Sequence, residues 1–224
     1  SLARRLSPTA PLPAATILNI ARQLGDALNY AHSKGIIHRD LKPANVLMDA
    51  EGRPCLTDFG LLRTVFNDSF LDVQQSALEG TAPYMSPAVV AGKAEDTRCD
   101  IYSFGAMLYE MLTGQPPYMG PSVDIILKKV TAGPPEPILK VNPKASKELA
   151  AVAHEVYLAI GVFDGVHFVV QVIDLAAAAQ FAQHFPGPLL GQEVAAVVPP
   201  DLLGSLGVAE EVSRALFGDE AVLL

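Results

Sequence analysis

Asp40, Lys42, Asn45 and Asp58 are the residues of this 224-residue chain whose types and spacing could do chemistry. A carboxylate at Asp40 can take the proton of an incoming hydroxyl. Asn45 and Asp58 supply hard oxygen donors of the kind magnesium takes, and Lys42 puts a cation close to the carboxylate. Their close spacing lets one rigid loop hold a base and a metal ligand together. These are the parts that phosphoryl transfer asks of a protein: little covalent chemistry, and much positioning of metal, accepting hydroxyl and cations against developing charge.

The flanking sequence has to do that positioning. Residues Ser1 to Leu6 suit a short helical turn, which Ser7-Pro8 and Pro11-Leu12-Pro13 then break. Ile17, Ala21, Leu24, Leu28 and Ala31 recur at helical spacing, Pro13 suits the helix start, and Gly35 suits the left-handed residue past its end. This long helix delivers the chain to His38. Ile36-Ile37 and Val46-Leu47-Met48 read as short strands flanking the loop, Asp49 to Pro54 as a hairpin turn and Cys55-Leu56-Thr57 as the return strand. From Leu61 to Gly80 the periodicity fades and polar residues accumulate, which predicts a mobile surface loop.

Farther on, Ile101, Phe104, Leu108, Met111 and Leu112 make a helix that is apolar on most faces and hence buried, ended by Gly114 and Pro116-Pro117. Ser122 opens a helix through Val130, Gly133 to Pro137 forms a stiff connector, and Ser146 opens a helix to about Val156. Beyond it, Tyr157 to Phe163 and His167 to Ile173 read as strands, Asp174 to Phe185 and Val208 to Phe217 as helices. No internal repeat is evident.

Composition narrows the partners. A net charge of -8 with mixed signs argues against nucleic acid and against an anionic membrane surface. The longest uncharged stretch, Leu175 to Gln192, contains Gln, His, Gly and Pro and makes a poor membrane span. There is no signal-peptide pattern, so the expectation is a cytoplasmic chain or a fragment of one. The two cysteines, Cys55 and Cys99, are far apart and read as reduced, part-buried side chains rather than a disulfide or a metal site.

The run His38-Arg39-Asp40-Leu41-Lys42-Pro43-Ala44-Asn45 fits the pattern H-R-D-L-x-x-x-N at every fixed position, and Asp58-Phe59-Gly60 follows after one hairpin's length. On these motifs residues 1–156 resemble the C-terminal lobe of a protein kinase, most like the bacterial serine/threonine type. The fold class expected is mainly α (α+β), a kinase-like C-lobe without the N-lobe, with residues 157–224 a small α/β appendage of unassigned topology. The resemblance implies ATP and Mg2+ as cofactors and a protein substrate. It makes Asp40 the catalytic base, Lys42 the lysine typical of serine/threonine specificity, and Asn45 and Asp58 the metal ligands. Leu47 falls beneath the adenine ring, and Thr81 falls in the substrate-facing segment. Arg39 would pair with a phosphorylated activation loop. Ser69 and Ser76 are either plain loop serines or the phosphosite of that loop. Asp100 either holds the catalytic loop's backbone or simply caps its helix.

Three departures from the family pattern bear on activity. These residues include no Gly-rich phosphate loop, no Val-Ala-Ile-Lys type strand and no partner glutamate helix, so a clamp on the α- and β-phosphates is missing. The family's Ala-Pro-Glu reads here as Ser86-Pro87-Ala88. After Tyr157 the kinase pattern stops; Asp164-Gly165-Val166-His167 is either a tight turn between strands or half of the His-x-Gly-His signature of nucleotidyltransferases. Two readings follow: a serine/threonine kinase domain that works when an N-lobe completes it and is inactive alone, or a non-catalytic kinase-like interaction module. Either leaves apolar surface near Leu47 and Phe59 for an N-lobe, a partner chain or the appendage to cover.

Overall fold

The computed structural model describes residues 1–59 and 78–158. A 3-10 turn at Leu2–Arg5 leads by the proline-rich segment to helix α1 (Ala14–Ser33). Its apolar stripe Ile17, Ile20, Ala21, Leu24, Leu28 and Ala31 is buried. The helix ends as Gly35 predicts: with φ +72 this residue lets its N–H reach His32 O and lets the Ile36 N–H reach Ala31 O. The chain then runs through Ile36 and Ile37 without strand pairing, contrary to the expected short strand, and Ile36 is half exposed. An apolar pair shows no edge to pair with in the sequence, and here it serves as an extended lead-in to the motif.

A 3-10 turn at Pro43–Asn45 precedes the antiparallel hairpin of β1 (Val46–Met48) and β2 (Pro54–Leu56). The register sets Val46 opposite Leu56 and Leu47 opposite Cys55. Val46 points into the core, while Leu47 and Cys55 share the outer face and are exposed. Cys55 is therefore not part-buried as the sequence suggests; strand alternation puts it outside. Cys99 is buried, and both thiols are free.

After a 3-10 turn at Ala82–Tyr84 come the short helix α2 (Pro87–Val90), the long α3 (Thr97–Thr113), α4 (Val123–Ala132), the four-residue α5 (Ile138–Val141) and α6 (Lys147–Leu158). Ser86 caps α2 by accepting the Val89 N–H, and Ser146 caps α6 by accepting the Leu149 N–H. The two four-residue helices escape a periodicity reading because one turn has no period. α5 follows directly on the proline connector, with Pro137 at its N-cap.

α3 is the centre of the molecule. From Cys99 to Thr113 every side chain but Glu110 is buried, so this helix is apolar all round because other elements surround it. α1 and α6 pack against it with α5, and Ile20, Leu24, Phe104, Met107, Leu108, Met111 and Leu149 fill one core. A smaller cluster of Ala82, Tyr102, Tyr118, Ile126 and Val130 attaches α4 to the other side. Leu2 is fully buried, and its turn packs against both the Pro43–Asn45 turn and β1.

The end of α3 is closely fitted. Gly114 has φ +76, and a Cβ there would overlap the Ser7 carbonyl and Pro8. Gly114→Ala adds left-handed strain to that overlap, so a loss of about 2 kcal/mol or more is expected in urea unfolding. A loss below about 0.5 kcal/mol would show that the N-terminal segment does not hold this position.

Candidate active site

The loop from His38 to Asn45 is held from beneath by α3. Asp96 caps that helix, its side chain accepting the Arg98 N–H. Asp100, one turn in, is thereby free for another task. Its Oδ2 accepts the His38 N–H at 2.8 Å and the His32 ring Nε2 at 2.7 Å, and its Oδ1 accepts the Arg39 N–H at 2.8 Å. The side chain is 1% exposed. A buried carboxylate needs such donors, and its place in the first turn of α3 adds the favourable end of the helix dipole. Of the two sequence readings of Asp100, the geometry fits the loop holder.

The held backbone is strained. Arg39 has φ +67 and Asp58 φ +63, the two non-glycine residues of positive φ among those described. Holding Arg39 left-handed turns the following residue, Asp40, into the site. Asp40 is buried, and both its oxygens are engaged. Oδ1 accepts the Thr81 hydroxyl at 3.1 Å, and Oδ2 accepts Asn45 Nδ2 at 2.9 Å and pairs with Lys42 Nζ at 2.9 Å. Lys42 also donates to Thr81 Oγ1 at 2.7 Å, closing a triangle of carboxylate, ammonium and hydroxyl. Asn45 Nδ2 reaches the Asp40 carbonyl as well, at 2.8 Å. Both Asn45 protons are drawn to Asp40, which leaves its amide oxygen available.

Across the hairpin, the Thr57 N–H and hydroxyl both donate to Asn45 O, at 3.0 and 3.1 Å. The backbone before Asp58 is thus tied to Asn45. Asp58 accepts the Thr57 hydroxyl at 3.3 Å and is otherwise exposed. The donor set fits a hard divalent cation: one amide oxygen and one exposed carboxylate, on two segments tied to each other. Among the described residues no three His, Cys, Asp or Glu side chains converge on a metal position. Remaining ligands would have to come from phosphate oxygens and water.

His38 packs its ring against Phe59, centroids 4.5 Å apart, and is fully buried. Burial depresses its pKa, outweighing the attraction of Asp100 and Asp40, so the ring is neutral at pH 7. Its Nδ1 accepts the Asp40 N–H at 3.3 Å, while its Nε2 has no aligned partner. Leu47 and Phe59 are 49% and 40% exposed, the apolar face expected beside the motifs.

The structure thus joins Asp40, Lys42, Asn45 and Thr81 through direct contacts and sets Leu47 on β1 and Asp58 two residues past β2. Arg39 pairs with Glu95: Nε lies 3.0 Å from a carboxylate oxygen, without hydrogen-bond alignment, so the contact is coulombic. Ser69, Ser76, residues 61–77 of the loop expected from Leu61 to Gly80, and residues 159–224 of the appendage lie outside the described residues; residues 78–80, the end of that expected loop, are helical. Sequence reading missed His32, Thr57 and Glu95. Their only sequence signals are proximity to a motif or to the end of α1, because each acts through a tertiary contact.

Tyr84, three residues past Thr81, donates its hydroxyl to Glu110 of α3, and Ser103 of α3 donates to the Tyr84 carbonyl at 2.8 Å. Burial raises the Glu110 carboxyl pKa, and the Tyr84 bond offsets part of the rise. An acid with its folded pKa above the unfolded value gives stability that is fully present below the unfolded value and is lost as pH rises through the folded one. Glu110→Gln should therefore gain thermal stability over the parent at pH 7, with the gain shrinking towards pH 4.5. A constant difference across that range would refute the assignment.

Comparison with known proteins places the site in context. The protein kinase domain family matches residues 1–158. The serine/threonine-protein kinase PknB of Mycobacterium leprae is 41% identical over 128 residues, 57% of this chain and 20% of that protein. PknB of Mycolicibacterium smegmatis is 39% identical over 145 residues, 65% of this chain and 23% of that protein. The serine/threonine-protein kinase YPK3 of Saccharomyces cerevisiae is 39% identical over 122 residues, 51% and 23%. The matched region spans about a fifth of the length of these relatives.

Proposed function

This chain belongs to the protein kinase family, and we propose that it is the catalytic C-lobe of a serine/threonine kinase, moving the ATP γ-phosphoryl group to a protein hydroxyl when an N-lobe completes it. The observation that carries the reading is the closed set of contacts among Asp40, Lys42, Asn45 and Thr81. The names of the relatives support the class of acceptor, a serine or threonine hydroxyl.

In this reading an incoming substrate hydroxyl takes the place of the Thr81 hydroxyl on Asp40. The oxygen bonds to the γ-phosphorus as the bridge to the β-phosphate breaks, ADP leaves, and Asp40 receives the hydroxyl proton. Lys42, 2.9 Å from Asp40, sets a positive charge where the transferring group gains negative charge. Asn45 and Asp58 would hold magnesium, which neutralises phosphate charge when bound. Leu47, exposed on the hairpin, offers an apolar seat for the adenine ring. Arg39, Thr81 and Ser76 would belong to the activation and substrate segment.

The phosphate clamps of the N-lobe are not among these 224 residues. Supplied by preceding sequence or by a partner chain, they would cover Leu47 and Phe59. The residues 1–156 and 157–224 are proposed to be the lobe and an appendage. A non-catalytic docking module is the second reading, favoured by Ala88 in place of the family's glutamate and by the already satisfied oxygens of Asp40.

Incubated with ATP and magnesium, the chain by itself should transfer negligible phosphate, whereas fusion to a kinase N-lobe should restore transfer. Asp40→Asn in that fusion should lower the rate by about 10²-fold or more. An active fusion indifferent to Asp40→Asn would remove Asp40 from the mechanism. A folded fusion that binds ATP but transfers nothing would favour the docking module.

A further inference from the structure

Beside the C-terminal half of α3, Tyr109, Pro135, Leu139, Ala150 and Ala151 line an open groove of about 630 Å³ that shares no residue with the candidate active site. Its walls are the proline connector, α5 and α6. Tyr109 is buried and stays uncharged, its hydroxyl pushed up to about 12 by burial. Leu139 stands 38% exposed. Glu136 in the lining is paired with Lys140, whereas Lys147 is exposed and has no ion-pair partner among the described residues. The groove is therefore apolar with an uncompensated positive charge at its edge, the character of a contact surface.

The chain itself supplies a matching occupant. α6, one wall of the groove, ends at Leu158 and continues into residues 159–224. These carry eight acidic side chains against one basic, Arg214, a net charge of -7, while residues 1–158 carry -1. Within them, the stretch from Asp174 to Phe185 holds a single charged residue, Asp174, ahead of Leu175, five alanines, Phe181 and Phe185. In the helix that the sequence predicts there, Asp174, Ala178, Phe181, Ala182 and Phe185 follow the i, i+4, i+7, i+8, i+11 spacing of one face. Residues 159–173 can span about 50 Å when extended, and His154 of the groove is about one turn, roughly 6 Å, back from Leu158. We propose that this groove is the docking site of the chain's own Asp174–Phe185 segment, with Phe181 and Phe185 covering the apolar lining and Asp174 meeting Lys147. A tethered segment acts at an effective concentration of about millimolar, an advantage no free partner has. The inference does not draw on the kinase reading.

The test is residue-resolved amide hydrogen exchange on the full chain at several protein concentrations. In the parent, the amides of residues 174–185 should be protected, equally so on dilution. Ala151→Glu sets a carboxylate in the apolar lining and should speed exchange across 174–185 by about tenfold or more, while the amides of α1 and α3 keep their protection. Lys147→Glu, a charge reversal at an exposed position, should act in the same direction and less strongly. Lys34→Glu, the same reversal outside the groove, should leave 174–185 as in the parent. Absence of protection in the parent, protection indifferent to both groove variants, or the same loss in Lys34→Glu overturns the proposal. Protection that falls on dilution also overturns it, since the occupant would then come from a second copy. If Ala151→Glu does not fold, shown by lost protection in α1 and α3, Lys147→Glu decides alone.

Discussion

A carboxylate buried near the start of a helix holds the backbone of the site loop, and most of the site's geometry follows from that contact. Asp100 sits one turn into α3, where the helix dipole favours negative charge, and takes the amides of His38 and Arg39. Those two bonds sustain a left-handed Arg39, and that backbone turn presents Asp40 to Lys42, Asn45 and Thr81. The position of Asp40 therefore depends less on its own neighbours in sequence than on a residue sixty positions later.

This arrangement explains why α3 is buried on almost every side. A helix that anchors a strained loop has to be immobile, and immobility comes from being packed by α1, α5, α6 and the turn at Ala82–Tyr84 together. The same helix reaches the opposite wall of the site through Ser103 and Glu110, which hold Tyr84 and with it the segment carrying Thr81. Both walls of the candidate active site are thus referred to one rigid rod. The hairpin of β1 and β2 is the exception: Thr57 ties it to Asn45, so the proposed cation ligands move as a pair.

Much of this was legible in the sequence because the chemistry is local there. Asp40, Lys42 and Asn45 lie within six residues, and the helix that delivers them shows a clear 3.6-residue stripe from Ile17 to Ala31. The hairpin was readable from its turn, and the buried helix from Ile101, Phe104, Leu108 and Met111. Contacts that join distant segments were not readable. Nothing in the residue type of Glu95 says that it meets Arg39, and nothing in His32 says that it meets Asp100. Cys55 reads as part-buried by type, yet the register opposite Leu47 turns it outward. One-turn elements such as α2 and α5 carry no period to detect.

The N-terminal turn has a mechanical consequence. Leu2 is locked in the core, and its turn leans on both β1 and the turn that ends in Asn45. Ser7 and Pro8 are wedged against Gly114 at the far end of α3. Residues 1–8 therefore bridge the end of the central rod, the hairpin and the turn that ends in Asn45. A displacement of the Leu2–Arg5 turn would be passed on to β1 and to the turn that holds Asn45, so this turn is a lever on a proposed cation-binding residue.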